Sequence, residues 1–171
     1  ARLFAEGGTE RTGWLVSARR GYVDLVLELM NEDEDYRPVY YDLFGKLARK
    51  ISDHHHLALN VLWAADDLDY RDNTEGDYKF LSTYSSGYAW FVWNATFSPR
   101  LHARTLPYLG RSATNRTGDT YFEDFFTDVN ESVDDDRQTA LMGLKSDWTF
   151  QPNARHLLRF GVDIKRQTAN Y

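Results

Sequence analysis

The feature that most constrains this chain is strict two-residue alternation in long runs separated by very short turns. Leu57, Leu59, Val61, Trp63 and Ala65 alternate with Ala58, Asn60, Leu62 and Ala64. Ala89, Phe91, Trp93, Ala95 and Phe97 alternate with Tyr88, Trp90, Asn94, Thr96 and Ser98. The same holds for Val39, Tyr41, Leu43, Gly45 and Leu47 against Tyr40, Asp42, Phe44, Lys46 and Ala48. Ala140, Met142, Leu144, Trp148 and Phe150 stand against Thr139, Lys145, Asp147 and Thr149, and Leu158, Phe160, Val162 and Ile164 against Arg159, Asp163 and Lys165. Successive side chains of a strand point to opposite faces, so this period makes one face of a sheet apolar and the other polar. Trp14, Val16 and Ala18 add a shorter run. Residues 102–112 carry a weaker pattern interrupted by Pro107, which disfavours a central strand. Tyr22–Met30 reads as a short helix with Leu25, Val26 and Leu29 on one side.

The turns repeat a local signature. Ile51-Ser52-Asp53-His54-His55-His56-Leu57, Phe97-Ser98-Pro99-Arg100-Leu101-His102-Ala103 and Phe150-Gln151-Pro152-Asn153-Ala154-Arg155-His156-Leu157 each pass from an apolar residue through a polar turn to a His and a new apolar run. All five histidines lie in these three places. Gly7 to Gly13, with three glycines, reads as a fourth turn. Short turns are therefore expected near 7–13, 52–56, 99–101 and 151–155. The polar stretches 21–38, 66–86 and 113–137 are expected as long loops.

Composition narrows the function classes. A net charge of −6 with no dominant basic patch argues against a nucleic-acid partner. With no cysteine, disulfides and thiolate metal sites are excluded. No run of about 18 apolar residues exists, which removes helical membrane spans and leaves alternating strands untouched. The chain opens on Ala1 without an initiator Met or a basic-then-apolar leader, as a processed protein or a fragment does.

Runs of about 10–13 residues exceed the usual soluble strand of about 5–6 and suit the roughly 9–11 that cross a bilayer when tilted. Short turns at one end with long connections at the other is the pattern of an outer-membrane barrel, and Trp14, Trp63, Trp93, Trp148, Phe97 and Phe150 fall on the apolar faces, several near the short turns, where an aromatic girdle belongs. The expectation is an all-β, antiparallel up-and-down meander of about eight long strands. Four short turns and three long connections point both ends outward, so it is expected to be an open segment of a larger transmembrane β-barrel.

Three stretches carry a resemblance to a known family. Pro38-Val39-Tyr40-Tyr41-Asp42-Leu43-Phe44-Gly45-Lys46-Leu47 with the His turn after it, Gly13 to Tyr22, and His156 to Asp163 resemble the barrel of TonB-dependent outer-membrane receptors. The resemblance covers nearly the whole chain through diffuse motifs. It implies a barrel of about 22 strands with a plugged lumen, roughly eight of them here. It further implies an outer-membrane location, contact with outer-membrane lipid, energy-coupled uptake of a small ligand such as a metal–siderophore complex, and the TonB system as partner. No segment reads as a plug domain or a TonB-contacting segment.

His54, His55 and His56 beside Asp53 offer imidazoles of a kind that bind Zn, Cu or Ni. Adjacent residues on extended backbone point apart, so a solvated turn is expected and no metal. Acidic residues in 66–77 and 119–136 offer oxygen ligands of the kind that bind Ca²⁺, but Asp134-Asp135-Asp136 lacks the alternate spacing and glycine of an EF-hand loop, and solvated connections are expected. Tyr70, Tyr78, Tyr121, Phe122, Phe125 and Phe126, in the polar connections, are the candidate ligand-capture residues, because exposed connections carry function disproportionately. Asp42 and Asp163 are expected to pair with Lys46, Arg159 or Lys165 along a lumen wall. No cofactor and no catalytic residue is expected, since no Gly-x-Ser-x-Gly or phosphate loop occurs. The competing expectations are a soluble β-sheet ligand-binding protein, a complete small eight-stranded outer-membrane protein, and a metal-dependent enzyme built on the His cluster.

Overall fold

A computed structural model describes residues 1–30, 36–72, 77–123 and 128–171. They form one eight-stranded antiparallel sheet in the order of the sequence. The strands are β1 (Arg2–Gly8), β2 (Thr12–Arg20), β3 (Tyr36–Ser52), β4 (His55–Asp72), β5 (Asp77–Ser98), β6 (Leu101–Glu123), β7 (Asp128–Asn153) and β8 (His156–Asn170). Among the described residues one helix, α1 (Val23–Met30), lies between β2 and β3, where the apolar spacing predicts a helix; its backbone runs close to β3, while Leu29 on its apolar side is exposed. The first and last strands do not pair, so the sheet is an open meander.

The short turns are built from side chains that satisfy turn amides. Ser52 Oγ accepts from His54 N and Ser98 Oγ from Arg100 N, each at 3.2 Å. Asn153 Oδ1 accepts from Arg155 N and His156 N at 3.0 Å. Thr9 Oγ1 accepts from Thr12 N at 3.2 Å. Such local bonds are why Ser, Thr and Asn favour turns over ladders. Register irregularities fall beside three of these turns, between Lys50 and Ser52, Thr96 and Ser98, and Phe150 and Asn153. Bulges of this kind concentrate at the rims of sheets.

Two expectations are corrected. The polar stretches 66–86 and 113–137 are not long loops. β4 and β5 pair out to Asp72↔Tyr78, and β6 and β7 out to Glu123↔Asp128. β5, β6 and β7 reach 22, 23 and 26 residues. Asp-rich composition reads as loop because Asp is depleted in half-buried strands, yet a ladder standing in water on both faces carries no such penalty. β6 also runs unbroken through Pro107. Between Trp90↔Tyr108 and Trp93↔Thr105 the β5–β6 ladder lapses, while Pro107 pairs Leu144 of β7. The missing proline N–H is thus accommodated on the β5 side.

The sheet has no second layer. Among the described residues no large side chain is fully buried, and the buried apolar residues are Val92, Ala95 and Ala103. The accessible surface is 12900 Å², against about 8,700 Å² for a compact monomer of this mass. That excess is the area of a sheet whose two faces both lack a cover.

Candidate lipid-facing and ligand-facing surfaces

Cross-strand partners in an antiparallel pair project to the same side, so the register assigns each face. One face carries the row Trp14, Leu47, Leu59, Phe91 and the row Val16, Gly45, Val61, Ala89, Leu109, Met142. β8 adds Leu158, Phe160, Val162 and Ile164. These residues are apolar and most are exposed, with Leu59 and Val61 at 45% and Ile164 at 64%, while Gly45, Ala89 and Phe91 are half-buried. The apolar rows are confined in height. They run over Val39–Leu47, Leu57–Ala65, Ala89–Phe97, Leu101–Leu109 and Ala140–Phe150, lengths that match the roughly 9–11 residues with which a tilted strand crosses a bilayer core. Beyond them the same face turns to Asp67, Thr83, Asn115 and Asp136.

At the turn end the band closes in a continuous line of rings. His55 stacks on Trp93 at 5.9 Å between centroids, and Trp93 Nε1 donates to His55 Nδ1 at 3.3 Å. Trp93 meets Phe97 edge-on at 6.1 Å. Phe97 stacks on Trp148 at 5.7 Å, and Trp148 on Phe160 at 6.4 Å. Trp148 Nε1 donates to Ser146 Oγ at 3.0 Å. The three adjacent histidines separate as extended backbone requires: His54 sits in the turn, His55 joins the aromatic line, and His56 lies on the opposite face in register with Asn94. Among the described residues no group of three or more His, Cys, Asp or Glu is arranged to hold a metal ion. The Lys50 ammonium, 2.6 Å from Asp53 Oδ1, donates to this turn carboxylate and holds its pKa below the ordinary range.

The second face is mixed rather than simply polar. At mid-height it carries Phe44, Leu62, Tyr88 and Leu141 in one row, and Lys46, Asn60, Trp90 and Tyr108 in the next. Phe44 and Trp90 lie 6.2 Å apart. Tyr88 covers Gly110, and Tyr108 covers Gly143, each ring occupying the space a Cβ would take. Sequence reasoning placed Phe44, Lys46, Asn60, Leu62, Tyr88 and Trp90 on this face, gave Tyr108 and Leu141 no face, and missed the clustering. The signal is a tyrosine in register with glycine on the next strand, and it is visible only once the register is known. Asp42 pairs with Arg19 at 2.6 Å, not with Lys46. Arg19 and Asp42 are direct cross-strand partners, whereas Lys46 stands four residues along the same strand, about 13 Å away. Asp163 accepts from the Tyr108 hydroxyl at 3.2 Å, in place of the expected Arg159 or Lys165.

Of the candidate ligand-capture residues, Tyr70 lies near the far end of β4, half-buried and in register with Phe80. The backbones of Tyr78, Tyr121 and Phe122 lie in the outermost rows, opposite Asp72, Asp77 and Val129. Phe125 and Phe126 lie outside the described residues. The four placed positions therefore share the end of the sheet away from the short turns. Towards the opposite end, a hollow of about 240 Å³ is lined by His56, Asn94, Thr96, His102, Arg104 and Asp147.

Together these features define a class: an open antiparallel β-meander with one height-limited apolar face, the form of a barrel segment. Among the described residues no helix is long and apolar enough to cross a membrane, which says nothing of strands. No protein-family model matches the sequence, and no curated protein matches it. Among solved structures the chain is similar to the siderophore receptor PiuA from Acinetobacter baumannii, at 8% identity and a TM-score of 0.49. That alignment covers 98% of this chain and 38% of the receptor.

Proposed function

We propose that this chain forms part of the wall of an outer-membrane β-barrel that takes up a small ligand, of the TonB-dependent receptor type, with a metal–siderophore complex as the representative cargo. The observation that carries the reading is the height-limited apolar band with its line of aromatic rings along one edge. A strand in lipid must alternate lipid-facing apolar residues with inward polar ones over one membrane thickness. In this arrangement the short turns face the periplasm. The far ends of β4–β7, with Tyr70 and the outer rows, stand outside the cell and meet the ligand first. Phe44, Tyr88, Trp90 and Tyr108 line the inner wall. None of the 171 residues is assigned to a plug; energy coupling belongs to the whole receptor.

The lack of cysteine makes the test direct. Single Cys residues carrying a nitroxide, placed in turn at 57 to 65 in the protein reconstituted in vesicles, are expected to alternate. Odd positions collide with oxygen dissolved in lipid, and even positions with a water-soluble nickel chelate. Uniform aqueous accessibility, or a protein that stays monomeric in water without detergent, sinks the reading in favour of a soluble ligand-binding sheet. For transport, cells lacking the protein should lose uptake of a labelled ferric siderophore, and collapse of the proton gradient should abolish uptake in wild type.

A further inference from the structure

The two edges of the apolar band differ in chemistry. At the turn end the apolar face closes on His55, Phe97, Leu101, Phe150 and Leu158, with Arg49 as its cation. At the far end the first charge met on β2, β6 and β8 is an arginine, as it is on β3, where Arg37 follows Val39 one row further out. Ala18 is followed on the same face by Arg20, Leu109 by Arg111 and Ile164 by Arg166. On β4 and β7 the first charges are Asp67 and Asp136. Asp136 stands four residues beyond Ala140, the partner of Arg111, which places it about 13 Å along the strand.

From this rim, on the proposed membrane reading, we infer that Arg111 and Arg166 form a docking site for the phosphate of a lipid headgroup in the leaflet at the far end of the sheet. Arg111 bonds only a neutral acceptor among the described residues, Gln138 Oε1 at 2.6 Å, so its charge is uncompensated. Arg166 makes no ion pair among the described residues and lies in register with Met142. The two rows interleave: Arg111 faces Ala140 and then Thr168, while Leu109 faces Met142 and then Arg166. Two strands and two residues separate the guanidinium-bearing backbones by about 12 Å, with the Thr168 hydroxyl between them in the sequence of rows. Arginine presents a planar fork that matches phosphate, and lysine does not. In a chain of net charge −6, arginines that adjoin an apolar band and, like Arg111 and Arg166, make no ion pair among the described residues fit an anion delivered by the lipid itself. Cations near an anionic membrane surface are attracted within a Debye length.

The test uses the intact protein in non-ionic micelles doped with a bisphosphorylated glucosamine lipid or the same lipid stripped of phosphate, with adducts counted by native mass spectrometry. The wild type is expected to retain the phosphorylated lipid at least tenfold better. Arg111→Gln with Arg166→Gln should lose that preference, Arg111→Lys with Arg166→Lys should keep part of it, and Arg49→Gln, on the opposite rim, should match wild type. Inorganic phosphate at millimolar concentration should not displace the lipid. Wild-type retention by the Gln pair, equal binding of both lipids, or equal loss in Arg49→Gln overturns the assignment. Displacement by inorganic phosphate also overturns it, reassigning the site to the free anion. A protein that enters micelles and vesicles without phosphate preference refutes this site alone. One that enters neither refutes the membrane reading beneath it.

Discussion

Val61 and Leu81 separate a bilayer from every other cover. Both lie on the apolar face, and their exposures are close, 45% and 37%. Val61 is the centre of the Leu57–Ala65 run, with Gly45 and Ala89 beside it. Leu81 lies beyond the band, between Asp69 and Thr117. Judged by exposure alone, replacing either with arginine is a surface change worth within about 0.5 kcal/mol. If the band lies in lipid, Val61→Arg puts a guanidinium near the midplane and costs about 2–4 kcal/mol, whereas Leu81→Arg, at or above the interface, costs about 0–1 kcal/mol. At 1.4 kcal/mol per decade, the Val61 change shifts the folding equilibrium by about 30- to 700-fold. The assay is reversible urea unfolding of the protein from lipid vesicles, followed by tryptophan fluorescence. Equal costs at the two sites, or a costlier Leu81→Arg, would refute the lipid assignment. If both changes cost about 2–4 kcal/mol, the face is covered by protein along its whole length.

Three further outcomes follow from local geometry. Gly143→Ala places a Cβ inside the Tyr108 ring and 2.8 Å from the Ile164 carbonyl oxygen. It should cost about 1–3 kcal/mol as overpacking, and no loss in the same vesicle assay would contradict the fitted ring. A double-mutant cycle of Phe97→Ala and Trp148→Ala should give a coupling of about 0.5–1.5 kcal/mol for the stacked pair; additive losses would mean that the line of rings does not act as a unit. The depressed pKa of Asp53, caused first by its bond to Lys50, stabilises the turn above the unfolded-state value. That contribution disappears as pH falls through the lower folded value. Carbon-13 titration should place the Asp53 carboxyl below the ordinary range, and Lys50→Met should bring it back; an unmoved titration in that variant would exclude the pair as the cause.

The sequence by itself determined the alternation, and with it the antiparallel meander, the composition of the apolar face and the positions of the short turns. It did so because strand periodicity and turn chemistry are local: Ser52, Ser98 and Asn153 need only neighbouring amides to act. It also separated His55 from His56, since adjacent residues of extended backbone point apart. The tertiary structure alone decided how far the strands run. Asp66–Asp72 and Thr114–Asp119 look like loop, and what keeps them in the ladder is pairing with a partner strand that composition does not reveal. Register likewise decided that Asp42 meets Arg19, that Pro107 sits where the β5 ladder lapses, and that Tyr88 and Tyr108 lie over Gly110 and Gly143. Each of those facts joins residues some 15 or more positions apart, and only the pairing of strands brings such residues together.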